Sequence, residues 1–250
     1  MEKTERQAVN FGLVGRNISY SFSRGYFKKK FNELDLTNHV YENFDLPEIS
    51  KFPSIFTSVK NIRGLNVTIP YKEEIIPFMD EIDESAQIIG AVNTIKIEEN
   101  GLKGFNTDAY GFQKSLEPYL KMHHKKALIL GTGGASKAIA FVLDQLGIEF
   151  SFVSRSGRKD GFTYEALNDE LIKEHTVIIN CSPVGTFPNI EEKPALPYHE
   201  IGPQHLLFDL IYNPTETAFL KEGQAKGATT CNGLNMLELQ AEKAWEIWNR

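Results

Sequence analysis

The fold is decided near the middle of the chain, at Ala127-Leu-Ile-Leu-Gly-Thr-Gly-Gly-Ala-Ser-Lys-Ala-Ile-Ala140. The apolar run 127–130 suits a buried parallel strand. It breaks at Gly131, Gly133 and Gly134, then resumes at helical spacing through Ala138, Ile139, Phe141, Val142 and Leu146. Strand, glycine turn and helix form the first unit of a Rossmann-type nucleotide-binding fold. Gly131 permits the tight turn and Gly133 lets the backbone approach a pyrophosphate. The N–H groups that open the helix attract its oxygens. Gly131, Thr132, Gly133, Gly134 and Ala135 are the expected cofactor contacts, and Ser136 stands where the usual fingerprint has its third glycine.

Working outward, residues 148–153 read as the second strand of this fold, and its exit decides the nucleotide. An NAD site wants an Asp or Glu there for the ribose hydroxyls. The chain has Ser154-Arg-Ser-Gly-Arg-Lys159 instead, followed by Asp160. Ser154, Arg155 and Ser156 are the expected contacts to a 2′-phosphate, with Arg158 and Lys159 adding positive charge, so NADP is the expected cofactor. An amphipathic helix is predicted over 163–173 and strands over 177–179, 206–211 and 228–230. A helix is predicted over 218–224, and Gly233 closes the fold. The final helix carries Leu234, Leu237, Leu239, Ala241, Ala244, Trp245 and Trp248. Its apolar face is expected to pack on the first domain and to deliver Gln240 to the site.

The first hundred residues alternate strands with helices. Strands are predicted over 9–14, 39–44 and 63–68, with a helical face at Tyr26, Phe27, Phe31 and Leu34. Short helices are predicted around Ile49–Phe56 and over 71–79 after Pro70, and again over 85–89. Segments 92–97 and 102–105 flank Glu99-Asn100-Gly101, where Asn-Gly signals a hairpin. Polar residues collect at strand ends: Ser21 and Ser23, Asn66 to Lys72, Asn93-Thr94, and Asn106-Thr-Asp108. In open α/β sheets ligands bind beyond the carboxyl ends of strands, so this set suits a small polyhydroxylated acid. Each residue alone is equally a turn former or a helix cap.

Across 250 residues, 41% hydrophobic and 24% charged content is ordinary for a globular protein, and a net charge of −6 argues against a nucleic-acid surface. Cys181 and Cys231 are too few for a disulfide framework or a zinc site, so no metal is expected. The charged N-terminus lacks a signal-like apolar core and no run reaches membrane-spanning length. The expectation is a cytoplasmic protein, monomer or homodimer, with no membrane or nucleic-acid partner.

Eight stretches in order resemble the shikimate dehydrogenases. They are Ser21-Phe-Ser23, Asn66-Val-Thr-Ile-Pro-Tyr-Lys72, Gly90-Ala-Val-Asn-Thr94, Gly104-Phe-Asn-Thr-Asp108, Gly131-Thr-Gly-Gly-Ala135, Asn180-Cys-Ser-Pro-Val-Gly185, Asp209-Leu-Ile-Tyr-Asn-Pro214 and Gly233-Leu-Asn-Met-Leu-Glu-Leu-Gln240. The resemblance implies two α/β domains with a cleft between them: a substrate domain of residues 1–108 with 233–250, and a Rossmann domain of 109–232 holding NADP and closed by Gly233. It implies that Ser21 and Ser23 bind the carboxylate of shikimate. Asn66, Thr68, Asn93, Tyr212 and Gln240 belong to the substrate site, and Lys72 and Asp108 are the catalytic pair. The expected reaction is reversible, NADP-linked reduction of 3-dehydroshikimate to shikimate in aromatic amino-acid biosynthesis.

The rivals are an NAD-using quinate/shikimate dehydrogenase, a catalytically silent ligand-sensing Rossmann protein, and a two-domain folate dehydrogenase. The chain departs from the family in its first loop, usually Gly-x-Pro-Ile-x-His-Ser-x-Ser-Pro, where Asn17, Tyr20 and Arg24 replace proline, histidine and proline. Ser154 replaces the Asn of the family's Asn-Arg-Ser/Thr motif, and Thr186 stands where Met is common.

Overall fold

The computed structural model describes residues 7–19, 21–156 and 161–250. Arg158, Lys159 and Asp160 of the basic loop, and Tyr20 of the first loop, lie outside them.

The chain divides into two compact units, Met1–Thr107 with Ala241–Arg250, and Asp108–Gln240. The first unit contains β1 (Val9–Gly15), α1 (Phe22–Glu33), β2 (His39–Asp45), α2 (Ser54–Ser58) and β3 (Ile62–Val67). There follow β4 (Glu81–Ile82), α3 (Glu84–Ile89), β5 (Thr94–Glu98) and β6 (Gly101–Phe105). Its mixed sheet runs β2-β1-β3-β5-β6-β4. Side chains on a strand alternate between faces, and β1 uses both. Phe11 and Leu13 pack with Phe27, Phe31 and Tyr41 on one face. Val14 packs with Leu65, Val67, Ile75 and Ile95 on the other.

α4 (Thr107–Leu116) leads from the last residue of the first unit's long segment into the second unit. Then come β7 (Lys126–Leu130), α5 (Gly134–Gln145), β8 (Glu149–Ser154), β9 (Gly161–Thr163), α6 (Asp169–Glu174), β10 (Val177–Asn180), β11 (Leu206–Asp209), α7 (Ala218–Ala225) and β12 (Thr229–Cys231). The sheet order is β12-β11-β10-β7-β8-β9, with every neighbouring pair parallel. The chain order reverses between β7 and β10, the topological switch point at which such sheets bind nucleotides.

α8 (Leu234–Trp248) runs through the boundary at Gln240. Its Ala241, Ala244, Ile247 and Trp248 complete the core around Phe11 and Phe27. The Trp248 indole Nε1 donates to the Ile95 carbonyl at 3.0 Å. Gly64 makes room for that ring, since a Cβ there would stand 2.2 Å from Nε1. Gly64→Ala therefore forces Trp248 off its acceptor, and unfolding in denaturant should show a loss of about 2 kcal/mol.

Three local expectations are corrected. Residues 71–79 form successive turns with one 3-10 turn at Ile76–Phe78, not an α-helix. Pro77 has no N–H for the Glu73 carbonyl, which accepts instead from Ile76 N at 3.2 Å and closes a shorter turn. The helix expected over 163–173 is broken. Thr163 caps a 3-10 turn at Tyr164–Ala166, and Asn168 separately caps α6 by accepting from Leu171 N. In the hairpin, Glu98 pairs with Gly101, so the two loop residues are Glu99 and Asn100. The positive φ of 133° falls on Gly101, which any other residue would adopt only under strain.

Candidate functional site

Ser21 occupies the N-cap position of α1, where a serine hydroxyl normally accepts a helix N–H. Here it makes no cap bond, and Ser21 Oγ is buried without a hydrogen-bond partner. An orphaned hydroxyl beside the N–H groups of a twelve-residue helix is disposed toward an anion.

Ser23, the second residue of α1, is buried, and so is the Tyr41 phenol on β2. Burial holds that phenol neutral by raising its pKa well above the ordinary value. The Tyr41 hydroxyl donates to Asn66 Oδ1 at 2.8 Å. Asn66 Nδ2 donates to the Asn93 carbonyl at 3.3 Å and to Thr94 Oγ1 at 3.1 Å. Asn93 Oδ1 then accepts from Thr107 N, the first N–H of α4, at 2.7 Å and from Thr94 Oγ1 at 3.1 Å. The directions are forced, because a carbonyl can only accept and a backbone N–H can only donate. Both amide protons of Asn66 are spent inside the fold, whereas Asn93 is anchored through its oxygen and keeps its amide protons for another acceptor.

Thr68 follows β3, with its N–H on the Val14 carbonyl at 2.9 Å. The half-buried Lys72 is fixed through its backbone, its carbonyl accepting from Val92 N at 2.7 Å. Ser21, Ser23, Asn66, Thr68, Lys72 and Asn93 all belong to the first unit. Asp108, Tyr212 and Gln240 belong to the second, with Asp108 buried in the first turn of α4. Gln240 Nε2 donates to the Leu237 carbonyl at 2.8 Å. Gly111 on α4 lets α8 approach, because a Cβ there would stand 2.5 Å from the Met236 carbonyl oxygen.

At the switch point Gly131 has φ 108°, and a Cβ there would press within 3.3 Å of Cys181 and Ser182. Gly133 is extended and a Cβ on it would meet nothing within 4 Å, so the space above the α5 N-terminus is open on the protein side. Ser136 is tolerated in place of a third glycine because its hydroxyl folds back onto the Gly133 carbonyl at 2.6 Å. Ser154 ends β8 opposite Thr163 of β9, so the exposed Arg155 and Ser156 leave the sheet beside Tyr164. Gly233 is required by contact, since a Cβ would lie 2.1 Å from the Leu210 carbonyl oxygen. Those residues fit a dinucleotide phosphate at the turn and a charged ribose substituent at the β8 exit.

Tyr41 escapes the sequence reading, as do the hydrogen-bonding roles of Thr94, Thr107 and Asp209. Asp209 Oδ1 accepts from Asn180 Nδ2 and Ile211 N, both at 3.1 Å, and Oδ2 from Thr217 Oγ1 at 2.6 Å. This ties together the exits of β10 and β11. Burial pushes the carboxyl up to about 6 from 3.8, despite those bonds. A carboxyl raised on folding favours the folded state fully at low pH, and that contribution is lost as pH climbs from 3.8 through about 6. The loss is about 3 kcal/mol at neutral pH. Asp209→Asn mimics the protonated form, so its Tm relative to wild type should rise between pH 5 and pH 7.5.

No helix of the described residues is long and apolar enough to cross a membrane. The family model for the shikimate dehydrogenase substrate binding domain matches residues 13–95. The NADP(+) shikimate dehydrogenase of Methanosphaera stadtmanae is 38% identical over 95% of this chain and 90% of its own length. The crystal structure of shikimate 5-dehydrogenase from Thermus thermophilus, in complex with NADP(H) and shikimate, is 32% identical with a TM-score of 0.84, over 96% of this chain and 93% of that one. The Listeria monocytogenes shikimate 5-dehydrogenase, in complex with shikimate and NAD, is 28% identical with a TM-score of 0.84, over 98% and 94%. By sequence along nearly its whole length, and by both of its sheets, this chain belongs to the shikimate dehydrogenase family.

Proposed function

We propose that this chain interconverts 3-dehydroshikimate and shikimate with NADP, the first unit holding substrate and the second the nucleotide. The observation that carries the reading is the orphaned, buried Ser21 hydroxyl at the α1 N-terminus, inside the segment that the substrate-binding family model matches. A carboxylate supplies the acceptor which that hydroxyl lacks, and the Asn93 amide protons suit a ring hydroxyl.

The Gly131–Ala135 turn and the α5 N-terminus would hold the pyrophosphate, and Ser154, Arg155 and Ser156 the 2′-phosphate. The bound nicotinamide supplies or accepts the hydride. What remains for the protein is charge and proton at the substrate oxygen. Reduction builds negative charge on that oxygen, which the Lys72 ammonium stabilises and to which it can give a proton. Asp108 is the second member of the catalytic pair and binds the neighbouring hydroxyl. Thr68, Tyr212 and Gln240 complete the substrate site, with Asn66 supporting it from beneath through its spent amide protons.

Calorimetric titration tests the binding half of this reading. NADP+ should bind at least about tenfold tighter than NAD+, the worth of one charge-assisted phosphate contact. Shikimate should bind more tightly than quinate. Equal affinity for the two nucleotides, or a preference for quinate, would move the chain to the NAD-using quinate/shikimate class.

A further inference from the structure

The first loop lacks the family's stiffening prolines, yet the structure holds it by another device. On β2, residues 41, 43 and 45 alternate onto one face of the strand, opposite Phe11, Leu13 and Gly15 of β1. All three are polar, and Asn43 and Asp45 bond to the serine-bearing segment. Asp45 Oδ1 accepts from Asn17 N at 2.8 Å. Asn43 Nδ2 donates to the Ile18 carbonyl at 2.8 Å, and that same carbonyl accepts from Ser21 N at 3.1 Å. Tyr41 donates instead to Asn66 on β3. Among the described residues, the two buried side-chain polar atoms without a partner are Ser21 Oγ and Asn43 Oδ1, one on the held segment and one on the holding strand.

We infer that β2 is a positioning strand for the carboxylate site, with Asn43 and Asp45 setting the loop that carries Ser21 through alternate-residue hydrogen bonds. The inference rests on the reading of the two serines as carboxylate ligands. Asn17 has φ 57°, a left-handed conformation that asparagine tolerates and proline cannot adopt. Proline at 17 would also remove the N–H that Asp45 accepts. The departure from the family pattern and the Asp45 contact are therefore one device. Reinstating the family's proline should harm this protein.

The test is steady-state kinetics of shikimate oxidation, with Tm recorded, for Asn17→Pro, Asn43→Ala, Asp45→Ala and Asp45→Asn, and Ser21→Ala as reference. Ser21→Ala should raise the shikimate KM about tenfold, the worth of one hydrogen bond to a charged group. Asn17→Pro, Asn43→Ala and Asp45→Ala should each raise it about fivefold or more, leaving kcat and the NADP+ KM within about twofold. Asp45→Asn keeps an acceptor oxygen and should restore a near-wild-type value. A raised KM in Ser21→Ala with unchanged values in the β2 variants would overturn the positioning role and leave the carboxylate reading intact. An unchanged KM in Ser21→Ala would overturn the carboxylate reading and the inference with it. Parallel rises in both KM values accompanied by a fall in Tm would also overturn it, as the mark of general destabilisation.

Discussion

Lys72→Ala should lower kcat for shikimate oxidation by about 10² to 10⁴-fold, the usual worth of a positioned acid–base group, with the shikimate KM changed far less. The stabilisation is differential. An ammonium beside the substrate oxygen gains most when that oxygen carries negative charge, which is in the transition state and not in the bound ketone or alcohol. The backbone of Lys72 is already fixed by the Val92 N–H bond at 2.7 Å, so truncating the side chain removes charge without releasing the turn. Lys72→Arg should not rescue it, because a guanidinium holds its proton too firmly to exchange it near neutral pH. Turnover within a few-fold of wild type in Lys72→Ala would remove the lysine from the chemistry.

Arg155→Ala should cut kcat/KM for NADP+ by about 10 to 100-fold while leaving that for NAD+ nearly unchanged. Arg155 is exposed at the β8 exit, and the β8–β9 register sets it beside Tyr164. No acidic residue stands at positions 154–156 to engage ribose hydroxyls. The expected loss is confined to the nucleotide bearing the 2′-phosphate, so the ratio of the two specificity constants is the quantity to read. An unchanged ratio would place 2′-phosphate recognition elsewhere.

The parts of this molecule that were legible in the sequence are those in which local chemistry and tertiary demand agree. The run 127–130 is apolar because β7 is buried on both faces, and Gly131 is glycine because its φ is 108° and Cys181 stands close by. The Asn93 and Asn106–Asp108 stretches were visible as polar strand exits, although what Asn93 does with each end of its amide was not. The failures have separate causes. Pro70 offers a good helix start, but Pro77 removes the donor that the Glu73 carbonyl needs, and the apolar spacing of 71–79 is satisfied by turns instead. Residues 163–173 keep amphipathic spacing across two caps, Thr163 and Asn168, whose competing side-chain bonds split the helix. The two-residue β4 and three-residue β9 are too short for a period to register. Tyr41 and Asp209 are hidden for another reason. A tyrosine on a strand and an aspartate at a strand exit are commonplace, and only the pairing of distant strands shows that one holds Asn66 and the other joins the exits of β10 and β11.

The most direct measurement is the growth of the reduced-nicotinamide absorbance band when the purified protein is mixed with shikimate and NADP+. The account predicts rapid reduction of NADP+ by shikimate, with NAD+ and with quinate each far slower at equal concentration. No reduction in any combination, in a protein that binds both ligands, would contradict it.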